Sequence, residues 1–376
     1  MVSFHQVLSS HELGGAGQLG LSTAYDLMMR GQTSKVWIPG EGPAKSKAEE
    51  LGLNVNTYDT TRLFSPSKLR VLVANYHIWR KLPAYSPALV HFHSPYVYRA
   101  MMPMLKLSHA KSMVHIHLDE DEAGLRWALK YPPDLVVTCA RFLEPYVRRT
   151  LPKQSQESQR IIAIPNPVDT ERFYPGNRVD AKRRVGAPLD IPLALMLANL
   201  APHKGHDVAI KATAQLKNEG LHIALWLAGE ERGGKQEYTH QLATLRAELG
   251  VRDHVQFLGH RDDAADLLRS ADFFLLPSTR EGLPLSILEA QASKVPVLAA
   301  PAGGTTEIIT DGKTGFLIDA SHPDNYADRI KKLLNNPSMT QSITANAYAK
   351  VVSDHTSPAY FERLWSLYQE LPSITN

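Results

Sequence analysis

Short apolar runs alternate with helix-patterned segments along almost the whole chain, and they do so in two successive blocks. The first block has such runs at residues 34–39, 88–93, 113–117, 135–139 and 161–164, after a strand-like N-terminus. Helical patterns lie between them, among them residues 20–30, 69–81 and 142–150. The second block has runs at 193–197, 223–228, 255–258, 273–276, 295–299 and 315–318, with helical patterns at 207–217, 238–249, 264–270 and 285–293. Runs this short and this apolar suit strands buried on both faces, and alternation with helices predicts parallel sheets covered on both sides. Two blocks predict an α/β protein of two doubly wound, Rossmann-like domains facing a cleft, with ligands at the C-terminal ends of the strands.

A chain of 376 residues is long enough for two cores. The boundary falls in 165–192, where Pro165, Pro167, Pro175, Pro188 and Pro192 stand among charges. This makes residues 1–168 one domain, with the second beginning at 169. The last 60 or so residues read as helices with no strand. The final helix carries Tyr360, Phe361, Leu364, Trp365, Leu367, Tyr368 and Leu371, too apolar a set for a free tail.

No apolar run approaches bilayer length, and the N-terminus lacks a basic segment followed by a long apolar stretch. Cys139, the one cysteine, lies in an apolar run and reads as a structural thiol; a single cysteine excludes internal disulfides and cysteine-based metal sites. These features point to the cytoplasm. The net charge of +3 hides an asymmetry: residues 1–168 hold 19 Lys/Arg against 13 Asp/Glu, and residues 169–376 hold 22 against 25. The plain reading of the basic half is a solvated surface. The sharper one is attraction to an anionic acceptor or to anionic lipid, a peripheral contact at the inner face of a membrane. The basic residues are scattered and no recognition motif accompanies them, which argues against nucleic acid.

The most informative motif is Arg280-Glu281-Gly282-Leu283-Pro284-Leu285, with Glu289 eight residues after Glu281. It gives a buried strand, a loop carrying a carboxylate, a helix start, and a second carboxylate within the helix. A helix start offers free N–H groups to an anion, and carboxylates on either side can accept from hydroxyls. A phosphate between a sugar and a ribose fits, as in a nucleotide-sugar. The macrodipole alone also favours glutamate near a helix start. Lys204, in Pro202-His203-Lys204-Gly205, ends a strand just before a helix and can reach phosphate oxygens as a mobile charge; alone it reads as a solvent-exposed loop lysine. Gly14-Gly15-Ala16-Gly17 follows the first strand and would let backbone approach a phosphate. Its spacing is not the dinucleotide fingerprint, and no acidic residue ends the next strand, which argues against a nicotinamide enzyme. His91 and His93, and His115 and His117, end two strands with each pair on one face. Their spacing is no known metal signature, and the ordinary fate of such histidines is a hydrogen bond in a cleft wall, so no metal site is assigned. Asp119-Glu120-Asp121-Glu122 reads as N-cap and first-turn charge for the helix that follows.

Together these segments resemble the retaining nucleotide-sugar glycosyltransferases of family 4, with the GT-B architecture. The resemblance rests on Glu281 and Glu289, Gly303-Gly304-x-x-Glu307, Pro202-x-Lys204-Gly205, and Ile164-Pro165-Asn166-Pro167-Val168-Asp169 with Phe173. It implies a final helix that crosses back, so that 1–168 and 358–376 form the acceptor-side domain and 169–357 the donor-binding domain. It implies transfer of a hexosyl unit from a nucleoside-diphosphate sugar, of UDP-glucose or UDP-N-acetylglucosamine type, to a hydroxyl acceptor in polysaccharide or glycoconjugate synthesis. The acceptor is a carbohydrate or lipid-linked group. No cofactor and no metal are implied, the nucleotide-sugar serving as co-substrate.

Residue by residue, the resemblance implies that Glu281 bonds the donor sugar's hydroxyls and that Gly282, Leu283, Pro284 and Leu285 line sugar and diphosphate. Glu289 would hold the ribose, Lys204 would neutralise the diphosphate, and Gly14 and Gly15 would approach the phosphates. His117 matches a strand-end histidine that faces the sugar. One departure stands out: the family's usual arginine five residues before the lysine is Asn199 here. Arg261, Arg232 and Lys235 are the nearest basic replacements in sequence. Two other readings follow from the same residues: a nucleotide-sugar epimerase or hydrolase using His93, His117 and Asp119 for acid–base work, and a non-catalytic nucleotide-sugar binder, which Asn199 alone supports.

Overall fold

A computed structural model describes residues 2–81, 88–108, 110–118, 121–231 and 236–373. The chain forms two compact units, Met1–Pro165 with Tyr360–Asn376, and Asn166–Ala359.

The first unit is built on seven parallel strands: β1 Ser3–Val7, β2 Thr33–Pro39, β3 Val55–Tyr58, β4 Ala88–Phe92, β5 Lys111–Ile116, β6 Leu135–Thr138 and β7 Ile161–Ala163. Their order is β3-β2-β1-β4-β5-β6-β7. The sequence expectation placed no strand at β3. That strand, Val-Asn-Thr-Tyr, closes one edge of the sheet, where only Tyr58 is buried, so it lacks the continuous apolar run that marks the interior strands. Helices at Gly15–Met29 and Pro43–Glu50 bury Leu21, Ala24, Ala44 and Ala48 with Leu8, Val36 and Ile38. On the other core, Phe4, Leu89, Met113 and Val137 pack with Tyr360, Leu364, Leu367, Tyr368 and Leu371. The apolar final helix, Ser357–Ser373, therefore finds its partner in this sheet, as the resemblance implied.

Pro103 interrupts the hydrogen bonding of the helix Pro95–Ser108. Asn75, from the neighbouring helix Lys68–Trp79, fills the break: its Nδ2 donates to Ala100 O at 3.0 Å and its Oδ1 accepts from Met104 N at 3.3 Å. A buried amide thus replaces one lost helical bond and rivets the two helices together.

The second unit has six parallel strands: β8 Leu193–Leu197, β9 Ala224–Ala228, β10 Val255–Gly259, β11 Phe273–Leu276, β12 Val297–Ala299 and β13 Phe316–Leu317. Their order is β10-β9-β8-β11-β12-β13. The core includes Ala194, Leu225, Leu227, Phe273 and Leu275, with Ile210, Tyr326 and Ile330 from the covering helices. In each unit the strand order reverses once, between β1 and β4 and between β8 and β11. Ligands of doubly wound folds bind at that switch point, beyond the carboxyl ends of the strands. Among the described residues no helix is long and apolar enough to cross a membrane.

Candidate active site

In the second unit, β8 and β11 are neighbours, and the loops that leave their C-terminal ends carry Lys204 and Glu281. Lys204 ends a short 3-10 turn, Pro202–Lys204, before the helix His206–Asn218. Gly205, at φ +74°, lets this loop lie against the chain leaving β11: a Cβ there would stand 2.1 Å from Pro277 O. Only glycine tolerates both the conformation and the approach. Thr279 N donates to His203 O at 2.8 Å and ties the two loops again. So held, Lys204 Nζ meets Glu281 Oε1 at 2.7 Å, with the carboxylate buried and the lysine side chain 17% exposed. The sequence treated these two as separate contacts to a ligand. The fold makes them one ion pair at the switch point.

Gly282, Leu283 and Pro284 are buried, and Leu285 is half-buried. Gly304 N donates to Gly282 O at 2.7 Å, which joins the Gly303-Gly304 segment to this loop. Asn166 Nδ2 donates to Leu283 O at 2.9 Å. Asn166 comes from the Pro-Asn-Pro motif, to which the sequence attached no role; its amide pins the loop ahead of the helix Leu285–Ala292. That helix has Pro284 at its N-cap and no side chain capping it. Its first N–H groups therefore keep the electropositive end of the helix open to an anion.

Glu289, just over one turn into the same helix, is half-buried, and burial pushes its carboxyl up to about 7 against a partial pull downward from the Arg172 guanidinium. Arg172 was not foreseen as part of this group. Asn199, just past β8, is half-buried. Arg261 is paired with Asp263, which forks its guanidinium, with Nε to Oδ1 at 2.7 Å and Nη2 to Oδ2, and raises its pKa. Arg232 and Lys235 lie outside the described residues. Glu307 sits in the short helix Thr305–Ile308, whose last carbonyls accept from Lys350 Nζ at 2.7 and 2.8 Å.

In the first unit, Gly14 caps and Gly15 opens the helix after β1, one turn earlier than the expected start at 20. Gly20 matters for packing: a Cβ there would come 2.4 Å from Leu8 and 3.1 Å from His93. The four strand-end histidines form a column rather than a cleft wall. Ring centroids lie 4.4 Å apart for His91–His93, 5.9 Å for His93–His115 and 4.1 Å for His115–His117. His91, His93 and His115 are buried and only His117 is half-exposed. Burial holds all four neutral, lowering His91 to about 3 and His117 to about 4, with His93 and His115 well below the ordinary value.

The hydrogen bonds order the protons in this column. Gln6 Nε2 donates to Tyr368 Oη at 2.9 Å, so Gln6 Oε1 accepts from His93 Nε2 at 3.0 Å. A neutral His93 then has a lone pair at Nδ1, which accepts from His117 Nε2 at 3.2 Å. His117 is left with an unprotonated Nδ1. Three ring nitrogens of His91, His93 and His115 lie within 4.8 Å of one another. His93 has both nitrogens engaged, which leaves fewer free nitrogens than a structural metal site requires. Both ring nitrogens of His115 and Nε2 of His91 have no partner among the described residues. Asp121 caps the helix Glu122–Ala128 through Gly124 N at 2.7 Å, as expected, while Asp119 and Glu120 lie outside the described residues.

This arrangement finds counterparts among known proteins. The family described as Glycosyl transferases group 1 matches residues 177–350, and Glycosyltransferase Family 4 matches residues 13–172. A D-inositol 3-phosphate glycosyltransferase of Acidothermus cellulolyticus is 34% identical over 205 residues, covering 53% of this chain and 46% of the relative. One from Catenulispora acidiphila is 32% identical, covering 54% and 53%. The chain thus spans about half the length of the curated relatives it matches. Among solved structures, HepE of Anabaena in complex with UDP-glucose has a TM-score of 0.85 at 20% identity, covering 98% of this chain and all of that one. Sucrose-phosphate synthase of Thermosynechococcus elongatus has a TM-score of 0.82 at 19% identity, covering 99% and 100%. The fold is the two-unit parallel-sheet architecture of GT-B glycosyltransferases. Two glycosyltransferase family models, one on each half, thus cover most of the chain between them and mark it as a glycosyltransferase of the family 4 type.

Proposed function

We propose that the chain transfers a hexosyl unit, with retention, from a UDP-sugar to a hydroxyl acceptor. The observation that carries this reading is the Lys204–Glu281 pair at the ends of β8 and β11, beside the uncapped start of the helix Leu285–Ala292. The acceptor is a polyol or sugar phosphate, a class to which the names of the relatives point. Its product belongs to polysaccharide or glycoconjugate synthesis. UDP as the nucleotide is supported by the complexes of HepE.

In this reading the donor's diphosphate lies against the helix-start amides and Lys204. The bond from the anomeric carbon to the diphosphate oxygen breaks, and negative charge grows on that oxygen. Groups already aimed at that charge lower the barrier most. The acceptor oxygen forms its bond to the same face of the anomeric carbon, and its proton passes to the departing phosphate oxygen. Glu281, fixed by Lys204, accepts from sugar hydroxyls and stabilises the positive ring. Glu289 accepts from the ribose. For the first unit, the family resemblance assigns Gly14 and Gly15 to the phosphates and His117, with its unprotonated Nδ1, to a sugar hydroxyl. Asn199 contributes a neutral hydrogen bond where the family has a cation, so Lys204 and the helix start carry more of the diphosphate's charge. These groups perform the role of a metal ion, and transfer should be unchanged by EDTA.

An epimerase or hydrolase would need an acid–base pair; His93 has both ring nitrogens occupied, which leaves His117 with Asp119, and rapid C2 inversion of a UDP-sugar without acceptor would favour that reading. The deciding experiment supplies radiolabelled UDP-sugars with inositol phosphates and sugar phosphates as acceptors. Acceptor-dependent UDP release that Glu281→Ala abolishes is the expected result. Binding of UDP-sugar without any transfer would instead make the chain a nucleotide-sugar binder.

A further inference from the structure

We infer that the outward face of the helix Lys68–Trp79 docks on the surface of an anionic lipid bilayer. The inference is independent of the proposed transfer reaction.

The helix has two apolar faces. Val71, Ala74, Asn75 and Ile78 point inward, the last three buried and Asn75 bonded across to the Pro95–Ser108 helix. Leu69, Leu72, Val73 and Tyr76 repeat the same i, i+3, i+4, i+7 spacing and are exposed, Leu69 at 71% and Leu72 at 56%. At 100° per residue the two sets face roughly 160° apart, so the second stripe points directly away from the protein. Phe64, a few residues before the helix, is exposed as well. Single exposed leucines are ordinary, but an ordered stripe on one helix marks a surface that something covers.

Charge identifies what covers it. From Thr60 to Leu118 the chain contains no aspartate or glutamate and eight lysines and arginines. Lys68 and Arg70 stand at the start of the helix, and Arg80 and Lys81 just past its end, all exposed. None of these four has an ion-pair partner among the described residues. Arg80 lies 5.9 Å over the ring of Tyr76, so cation and aromatic end the stripe together. An apolar stripe between unpaired cations matches the boundary of a bilayer, where side chains enter the acyl region and cations meet lipid phosphates. A second copy of the chain is a poor fit. A two-fold contact would bring this patch against itself, like charge against like, with no carboxylate from the same stretch to answer it. The Asn75 rivet holds the helix in place, so the stripe is presented ready-made.

The test is flotation of the full chain with vesicles of phosphatidylcholine alone and with about 30 mol% phosphatidylglycerol, at low and high salt. Wild type should float with the anionic vesicles, release in high salt, and stay behind with the neutral ones. The triple variant Leu69→Gln/Leu72→Gln/Tyr76→Gln alters only exposed positions and should keep the wild-type Tm while losing about tenfold or more in partitioning. Arg80→Ala/Lys81→Ala should lose about fivefold per cation. Failure of wild type to float, equal flotation with neutral vesicles, or undiminished flotation of a folded triple variant would each overturn the inference. So would a concentration-dependent dimer in sedimentation velocity that the triple variant abolishes, since it would give the stripe to a second copy. Flotation needs neither donor nor turnover, so its outcome is separate from that of the transfer assay.

Discussion

Lys204 and Glu281 stand 77 residues apart in sequence and touch because β8 and β11 are neighbours at the point where the sheet reverses. Each motif could be read alone, but their pairing could not, since nothing local encodes which strand lies beside which. The pairing makes the two substitutions unequal in effect. Lys204→Met leaves Glu281 buried without its cation and should cost about 1–3 kcal/mol of stability, read by chemical denaturation. It should also lower kcat/KM for the donor by about a hundredfold or more. Glu281→Gln keeps a hydrogen-bond acceptor for Lys204, so it should reduce transfer much more than UDP affinity. Equal losses in both would show that Glu281 does not distinguish the reacting sugar from the nucleotide. Glu289 gives a different signature. Its carboxyl ionises near 4.5 when unfolded and near 7 in the fold, so between these values the folded chain holds a proton that the unfolded chain has released. That stabilisation of the protonated fold disappears as pH rises through 7. Wild type should therefore lose Tm relative to Glu289→Gln between pH 5 and 8. UDP affinity measured by calorimetry should rise over the same range in wild type, as the ribose gains an ionised acceptor, and stay flat in Glu289→Gln.

At the scale of elements, the strand ends of the first unit carry an acid-sensitive load. The histidine column is kept neutral by burial, with His91 lowered to about 3, His117 to about 4, and His93 and His115 well below the 6.5 of the unfolded chain. Below pH 6.5 the unfolded chain takes up protons that the folded column refuses, so stability falls from there down to about pH 3. His115 contributes to this load with no hydrogen bond to lose. His115→Phe should shift the acid-unfolding midpoint, followed by near-UV circular dichroism, to lower pH; an unchanged midpoint would mean that His115 is protonated or bonded in the fold. The paired spacing of these residues on β4 and β5 was legible in the sequence, because period two puts alternate side chains on one face. Their depth was not. It depends on β1 and on Gln6 and Tyr368, which close the column from elsewhere in the chain. Strand β3 escaped notice for the opposite reason: an edge strand needs no continuous apolar run. The exposed stripe on Lys68–Trp79 was equally hidden. Its composition announces a buried helix, and only the position of the Pro95–Ser108 helix decides which face stays outside.

At the scale of the molecule, the alternation of strand and helix read directly as two parallel-sheet units, because each buried strand and each covering helix has its own periodicity. The return of Tyr360–Asn376 to the first unit was legible only as an apolar segment in need of a partner. That segment supplies Tyr360, Leu364, Leu367, Tyr368 and Leu371 to the first core. A chain ending at Ala359 should therefore keep a folded second unit and lose the first, and limited proteolysis should leave a fragment close to Asn166–Ala359. Survival of an intact Met1–Pro165 fragment would refute this.

The same segment has a consequence during synthesis. Strands β1 to β7 leave the ribosome complete, but the helix that covers one side of them waits until roughly 200 residues of the second unit have followed. At ordinary elongation rates that is about 10–40 s during which an apolar sheet face has nothing of its own to rest on. The second unit holds its whole core within one continuous stretch and can close as it emerges. The second unit can thus finish folding before the first, whose sheet face stays uncovered until the last helix arrives.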